Sequence, residues 1–111
     1  MHLLRHQSAI IHSPTNGLHY PPATLCNWNV TTQPLLWLRI NIERFSLEMS
    51  QNCSKDYVDV SGLGRRCGMG DLGSYVIKRS FIDMTFATDF DTEEEGFQIS
   101  VVSVGKKNAF M

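Results

Sequence analysis

Residues 36–43 read Leu-Trp-Leu-Arg-Ile-Asn-Ile-Glu, an unbroken alternation in which Leu36, Leu38, Ile40 and Ile42 share one face and Trp37, Arg39, Asn41 and Glu43 the other. A period of two marks a strand with one face in a core and the other toward solvent. Ile82, Met84 and Phe86 repeat the pattern around Asp83 and Thr85, and Phe97, Ile99 and Val101 repeat it around Gln98 and Ser100. Weaker runs cover 8–12, 26–30, 57–60 and 74–79. Turn formers punctuate them: Ser13-Pro14-Thr15-Asn16-Gly17, Pro21-Pro22, Ser61-Gly62-Leu63-Gly64 and Gly68-Met69-Gly70. No stretch of 12 residues has a helical period, so the pattern predicts an all-β antiparallel sandwich or barrel.

The chain has 111 residues, room for one compact domain, and its 42% hydrophobic content is enough for a core. Its 10 Lys and Arg against 11 Asp and Glu leave no basic surplus to neutralise phosphates, which argues against nucleic acid. No apolar run approaches the roughly 18 residues that span a bilayer, so no membrane insertion is expected. Residues 1–7 carry Arg5 where a signal peptide would need an apolar run, and no signal peptide is read there.

Residues 45–68 run from Phe45-Ser46-Leu47-Glu48 through Asn52-Cys53-Ser54-Lys55-Asp56-Tyr57-Val58 to Cys67-Gly68. Cys53 and Cys67 enclose the 57–60 run and a glycine-rich return, and spacing alone fits a disulfide and two reduced thiols equally well. A bridge over such a loop would contribute roughly 3 kcal/mol. Glu48 and Asp56 flank Cys53, while Asp89 and Asp91 follow the strand ending near Phe86. Carboxylates from separate loops are the usual supply of oxygen for calcium, although acidic runs such as 91–95 are more often solvated turns. Asn29-Val30-Thr31 and Asn52-Cys53-Ser54 make Asn29 and Asn52 N-glycosylation candidates. The four histidines, at 2, 6, 12 and 19, complete no zinc pattern, and the glycines at 62, 64 and 68 open no phosphate-binding helix. With no motif pairing a base with a nucleophile, no enzymatic activity is expected.

In order, Ser13-Pro14, Tyr20-Pro21, Cys26-Asn27-Trp28, Phe45-Ser46-Leu47-Glu48, Cys53-Ser54-Lys55-Asp56-Tyr57-Val58, Cys67-Gly68, Phe86-Ala87-Thr88-Asp89 and Gly96-Phe97 resemble the successive signature blocks of a CUB domain. The likeness covers residues 8–104, leaving 1–7 as an N-terminal extension and 105–111 as a C-terminal tail. It implies a jelly-roll-like sandwich of two antiparallel sheets in a protein that is extracellular or on the extracellular face of the plasma membrane. It implies a Cys53–Cys67 disulfide and an unpaired Cys26, whose usual partner would fall just before Met1. The calcium-binding members use carboxylates that match Glu48, Asp56 and Asp89, with Asp91 and Thr92 where the loop closes round the ion and Tyr20 beside it. Two departures are Thr15-Asn16-Gly17, where the family has Asn-Tyr-Pro, and a short stretch between Val60 and Cys67.

The function implied is a non-catalytic interaction module. Its calcium-organised edge, comprising Tyr20, Glu48, Asp56 and Asp89, would take a Lys or Arg side chain of a protein partner in a charge-assisted contact. As a segment of a larger secreted peptidase or endocytic receptor, it would recognise that protein's substrate or ligand. The alternative is a stand-alone carbohydrate-binding protein like the spermadhesins, against which the intact acidic set weighs.

Overall fold

The computed structural model describes residues 1–14, 20–69, 73–89 and 94–106. Among the described residues nine strands follow one another: β1 (His2–Leu3), β2 (Ser8–His12), β3 (Leu25–Thr32), β4 (Leu36–Ser46), β5 (Tyr57–Val60), β6 (Gly64–Arg66), β7 (Gly73–Ile77), β8 (Phe81–Ala87) and β9 (Gly96–Gly105). They form two sheets, ordered β1-β3-β8-β5-β6 and β2-β9-β4-β7. Every pairing is antiparallel except the short β1–β3 contact, as expected of a jelly-roll-like sandwich.

The three alternating runs become β4, β8 and β9, and their apolar faces meet between the sheets. Leu38, Ile40, Ile82, Met84, Phe86, Phe97, Ile99 and Val101 are all at most 1% exposed. Phe45 is buried although it lies at an odd position on a strand whose core residues are even-numbered. A register shift between Ile42 and Arg44 accounts for this. The extra residue leaves Glu43 and Arg44 both exposed and turns Phe45, then Leu47, inward.

Tyr57 departs from expectation. As part of an alternating run it is expected on the common inward face with Trp28, Phe45 and Phe86, but Val58 and Val60 take the inward positions of β5 and Tyr57 faces out. There it lies under the guanidinium of Arg65, 3.7 Å from its ring centroid. Trp28 is half-buried, packed edge-on against Phe97 with ring centroids 6.0 Å apart. Residues 64–66, expected as part of a turn-rich return, pair with β5 as the edge strand β6, and His2–Leu3 pairs with the end of β3. Gly105 closes β9 opposite Leu36, so the sheet extends into the segment expected as a tail. Residues 107–111 lie outside the described residues.

Gly96, at the start of β9, has φ +100°, and a Cβ there would collide with Ser13 Oγ. Ser13 is itself buried, and its hydroxyl accepts the Phe97 N–H at 3.1 Å. Gly96→Ala would combine backbone strain with a steric clash, and we expect it to destabilise the domain by about 2 to 4 kcal/mol in chemical denaturation, with Gly64→Ala as the comparison. Gly64 also has positive φ but nothing within 4 Å of its would-be Cβ, so the difference between the two isolates the clash.

Candidate metal centre

Strand direction explains why three separated carboxylates meet. β4 and β8 run toward one end of the sandwich and β5 leaves from it, so Glu48 after β4, Asp56 before β5 and Asp89 after β8 all arrive there. One oxygen from each lies within 4.8 Å of the others. The parity of β5 completes the placement: the alternation that turns Val58 and Val60 inward also turns Asp56 inward, where it is fully buried. Asp91 and Thr92 lie outside the described residues.

Tyr20 links the parts. Its hydroxyl donates to Asp56 Oδ2 at 2.5 Å and accepts the Glu48 N–H at 3.2 Å, while Asp56 Oδ1 accepts the Asp89 N–H at 2.8 Å. Asp56 thus spans both neighbouring segments. An aromatic chain fastens Tyr20 to the core: Tyr20 meets Phe86 edge-on at 5.3 Å, and Phe86 meets Phe97 at 5.1 Å. Tyr20 is 1% exposed and Asp56 not at all. Tyr20 and Asp56, expected at a contact edge, are thus enclosed, whereas Glu48 and Asp89 are half-buried.

Burial pushes the Asp56 carboxyl above its ordinary range, outweighing the hydrogen bonds from Tyr20 and Asp89 that favour its ionised form. Burial, followed by the bond to Asp56, raises the Tyr20 hydroxyl and keeps it a neutral donor. Lys55 Nζ stands 3.8 Å from Glu48 Oε2, so the rim already accommodates an ammonium group. Three carboxylates on separate segments form a hard-oxygen donor set suited to a divalent cation such as calcium.

Cys53 and Cys67 are bridged, with Cα atoms 5.4 Å apart. The bridge ties the 3-10 turn Gln51–Cys53, between Glu48 and Asp56, to the end of β6. Cys26 is free and half-buried, paired in register with Phe86. Asn29 and Asn52 both have exposed side chains.

The family model of the CUB domain matches residues 2–101. The chain belongs to the CUB domain family. CUB domains are non-catalytic interaction modules of extracellular and plasma-membrane proteins. Cubilin of Sus scrofa is 32% identical over 104 residues, which cover 88% of this chain and 3% of cubilin. The chain thus spans a small fraction of the curated relatives it matches first. The full extracellular region of zebrafish Gpr126/Adgrg6 contains a similar fold, with 26% identity and a TM-score of 0.84 over 95% of this chain and 14% of that one. The MASP-1 CUB2 domain bound to Ca2+ superposes at a TM-score of 0.75 with 22% identity, over 88% of this chain and 95% of that one. No helix among the described residues is long and apolar enough to cross a membrane.

Among the positioning residues, Ser50 carried no sequence signal. Its hydroxyl accepts the Lys55 N–H at 3.1 Å and holds the turn between the first two carboxylates. A serine three residues before a cysteine is too common to single out, and only the closed turn reveals its role.

Proposed function

We propose that this CUB domain is an extracellular, non-catalytic module that binds one calcium ion through Glu48, Asp56 and Asp89, with Asp91 as a fourth contributor, and so presents an acidic edge to a protein partner. The observation that carries this reading is the meeting of three carboxylates from three chain segments within 4.8 Å, one of them fully buried. Clustered carboxylates repel one another, and a divalent cation would turn that repulsion into a tie between the three segments. The likeness to the calcium-bound MASP-1 domain supports the fold at 22% identity, and the ligand assignment rests on the donor set itself. The Glu48–Lys55 pair supports the further step, that negative charge remaining at the rim receives a Lys or Arg of the partner. An oxidising compartment agrees with the Cys53–Cys67 bridge.

Titration calorimetry of the oxidised domain with calcium tests this reading, alongside melting curves in calcium and in chelator. Wild type should bind one ion, and at a calcium concentration 100-fold above Kd the native state should gain about 2.7 kcal/mol. Asp89→Ala should remove both the heat of binding and the melting shift while leaving the β-sheet circular dichroism unchanged, because Asp89 lies beyond the end of β8. A wild type with no calcium-dependent shift would sink the assignment.

A further inference from the structure

Strand direction sorts charge as well as ligands. Glu94 and Glu95, just before β9, join Glu48, Asp56 and Asp89 at the end described above, where Lys55 pairs with Glu48 and Arg44 lines one recess with Glu94 and Glu95, leaving the end acidic on balance. At the opposite end, Lys78 follows β7, Arg79 precedes β8 and Lys106 follows β9, while Arg5 lies against Gly105, 2.6 Å from where a Cβ would sit. The ten steps along β4 from Leu36 to Ser46 put about 33 Å between the two ends.

The basic end is also aromatic. Trp37 lies on the outer face of β4, with Lys78 Nζ 5.7 Å and Lys106 Nζ 5.4 Å from its ring centroid. Arg79 lies 6.0 Å from the ring centroid of Phe81, which is 50% exposed, and Leu35 beside β4 is 80% exposed. The indole holds two mutually repelling ammonium groups close together in advance of any contact, and a tryptophan amid cations is a frequent anchor of interfaces.

We propose that the Trp37, Lys78 and Lys106 end docks on the acidic, calcium-organised end of a second copy of this domain, so that copies associate end to end. The inference rests on the metal reading above and names the partner of that same edge. Its argument is charge complementarity. The acidic edge calls for an exposed ammonium group, and among the described residues Lys78 and Lys106 offer one each at the far end, beside exposed apolar side chains that a contact would cover. Because the two ends differ, the contact is head to tail and leaves one free end of each kind.

Sedimentation velocity of the full oxidised chain, from micromolar up to about 1 mM, tests this with two variants. Lys78→Glu/Lys106→Glu closes the basic end, and Asp89→Ala closes the acidic one. Wild type in calcium should show a sedimentation coefficient rising with concentration, with association weakened about fivefold or more by 0.5 M NaCl. Each variant alone should stay monomeric, while an equimolar mixture should form a dimer and nothing larger. The lysine variant should keep the full calcium-dependent melting shift. A wild type that binds calcium and stays monomeric overturns the inference alone, including where the lysine pair instead governs retention on a sulfated polysaccharide. A wild type without the melting shift overturns the metal reading and this inference with it.

Discussion

Phe86→Ala should cost about 3 to 5 kcal/mol of stability and weaken calcium binding. Phe86 is fully buried between the sheets and lies edge-on against both Phe97 and Tyr20. The cavity left by its ring supplies the stability loss. The effect on the site follows from Tyr20, which loses its apolar support and with it the fixed angle at which its hydroxyl joins Asp56 to the Glu48 backbone. Denaturant titration measures the first effect and calcium calorimetry on the remaining folded fraction the second. Ile99→Ala is the control, since Ile99 is equally buried in β9. It should lose comparable stability while keeping its calcium affinity, and equal losses of affinity in both variants would show that Tyr20 is not specially dependent on Phe86.

Asp56→Asn should raise the stability of the calcium-free domain at neutral pH and abolish its response to calcium. The folded state holds the Asp56 carboxyl above the ordinary value of 3.8, so folding favours its protonated form. That contribution is fully present below the unfolded value and is lost as pH rises through the folded one. In chelator, the wild type should therefore lose stability from this group as pH climbs out of the acid range, whereas Asp56→Asn, uncharged throughout, should not. Calcium reverses the wild-type trend, because the ion binds the ionised form and competes with the proton. Melting temperatures between pH 4 and pH 7.5, with calcium and with chelator, measure all four curves. An asparagine variant that is less stable than wild type in chelator at neutral pH would show that the hydrogen bonds to Asp56 outweigh its desolvation.

Much of this could be read along the chain because period-2 alternation is a local property. Leu36 to Ile42, Ile82 to Phe86 and Phe97 to Val101 announced the strands that supply most of the core, and the ordered signature blocks announced the sandwich and the bridge from Cys53 to Cys67. The same blocks singled out Glu48, Asp56 and Asp89, which are up to 41 residues apart in sequence.

Other features depended on pairing. β6 has only three residues, too few to show a period, and exists because β5 offers it an edge. The inward turn of Phe45 depends on the extra residue opposite β9, which no single strand reveals. Tyr57 falls outside the core because the common face expected for the alternating strands is, in β5, the face of Val58 and Val60, whose parity assigns the inward position before them to Asp56. By itself the sequence determined which residues could line a core, which follows from local spacing, and its ordered blocks, through their likeness to the family, marked the three carboxylates. Only the tertiary structure decided that those strand ends coincide, that Tyr20 is the buried link among them, and that Lys78, Arg79 and Lys106 gather at the end opposite the three carboxylates. These depend on strand order and direction, which arise when distant segments pair.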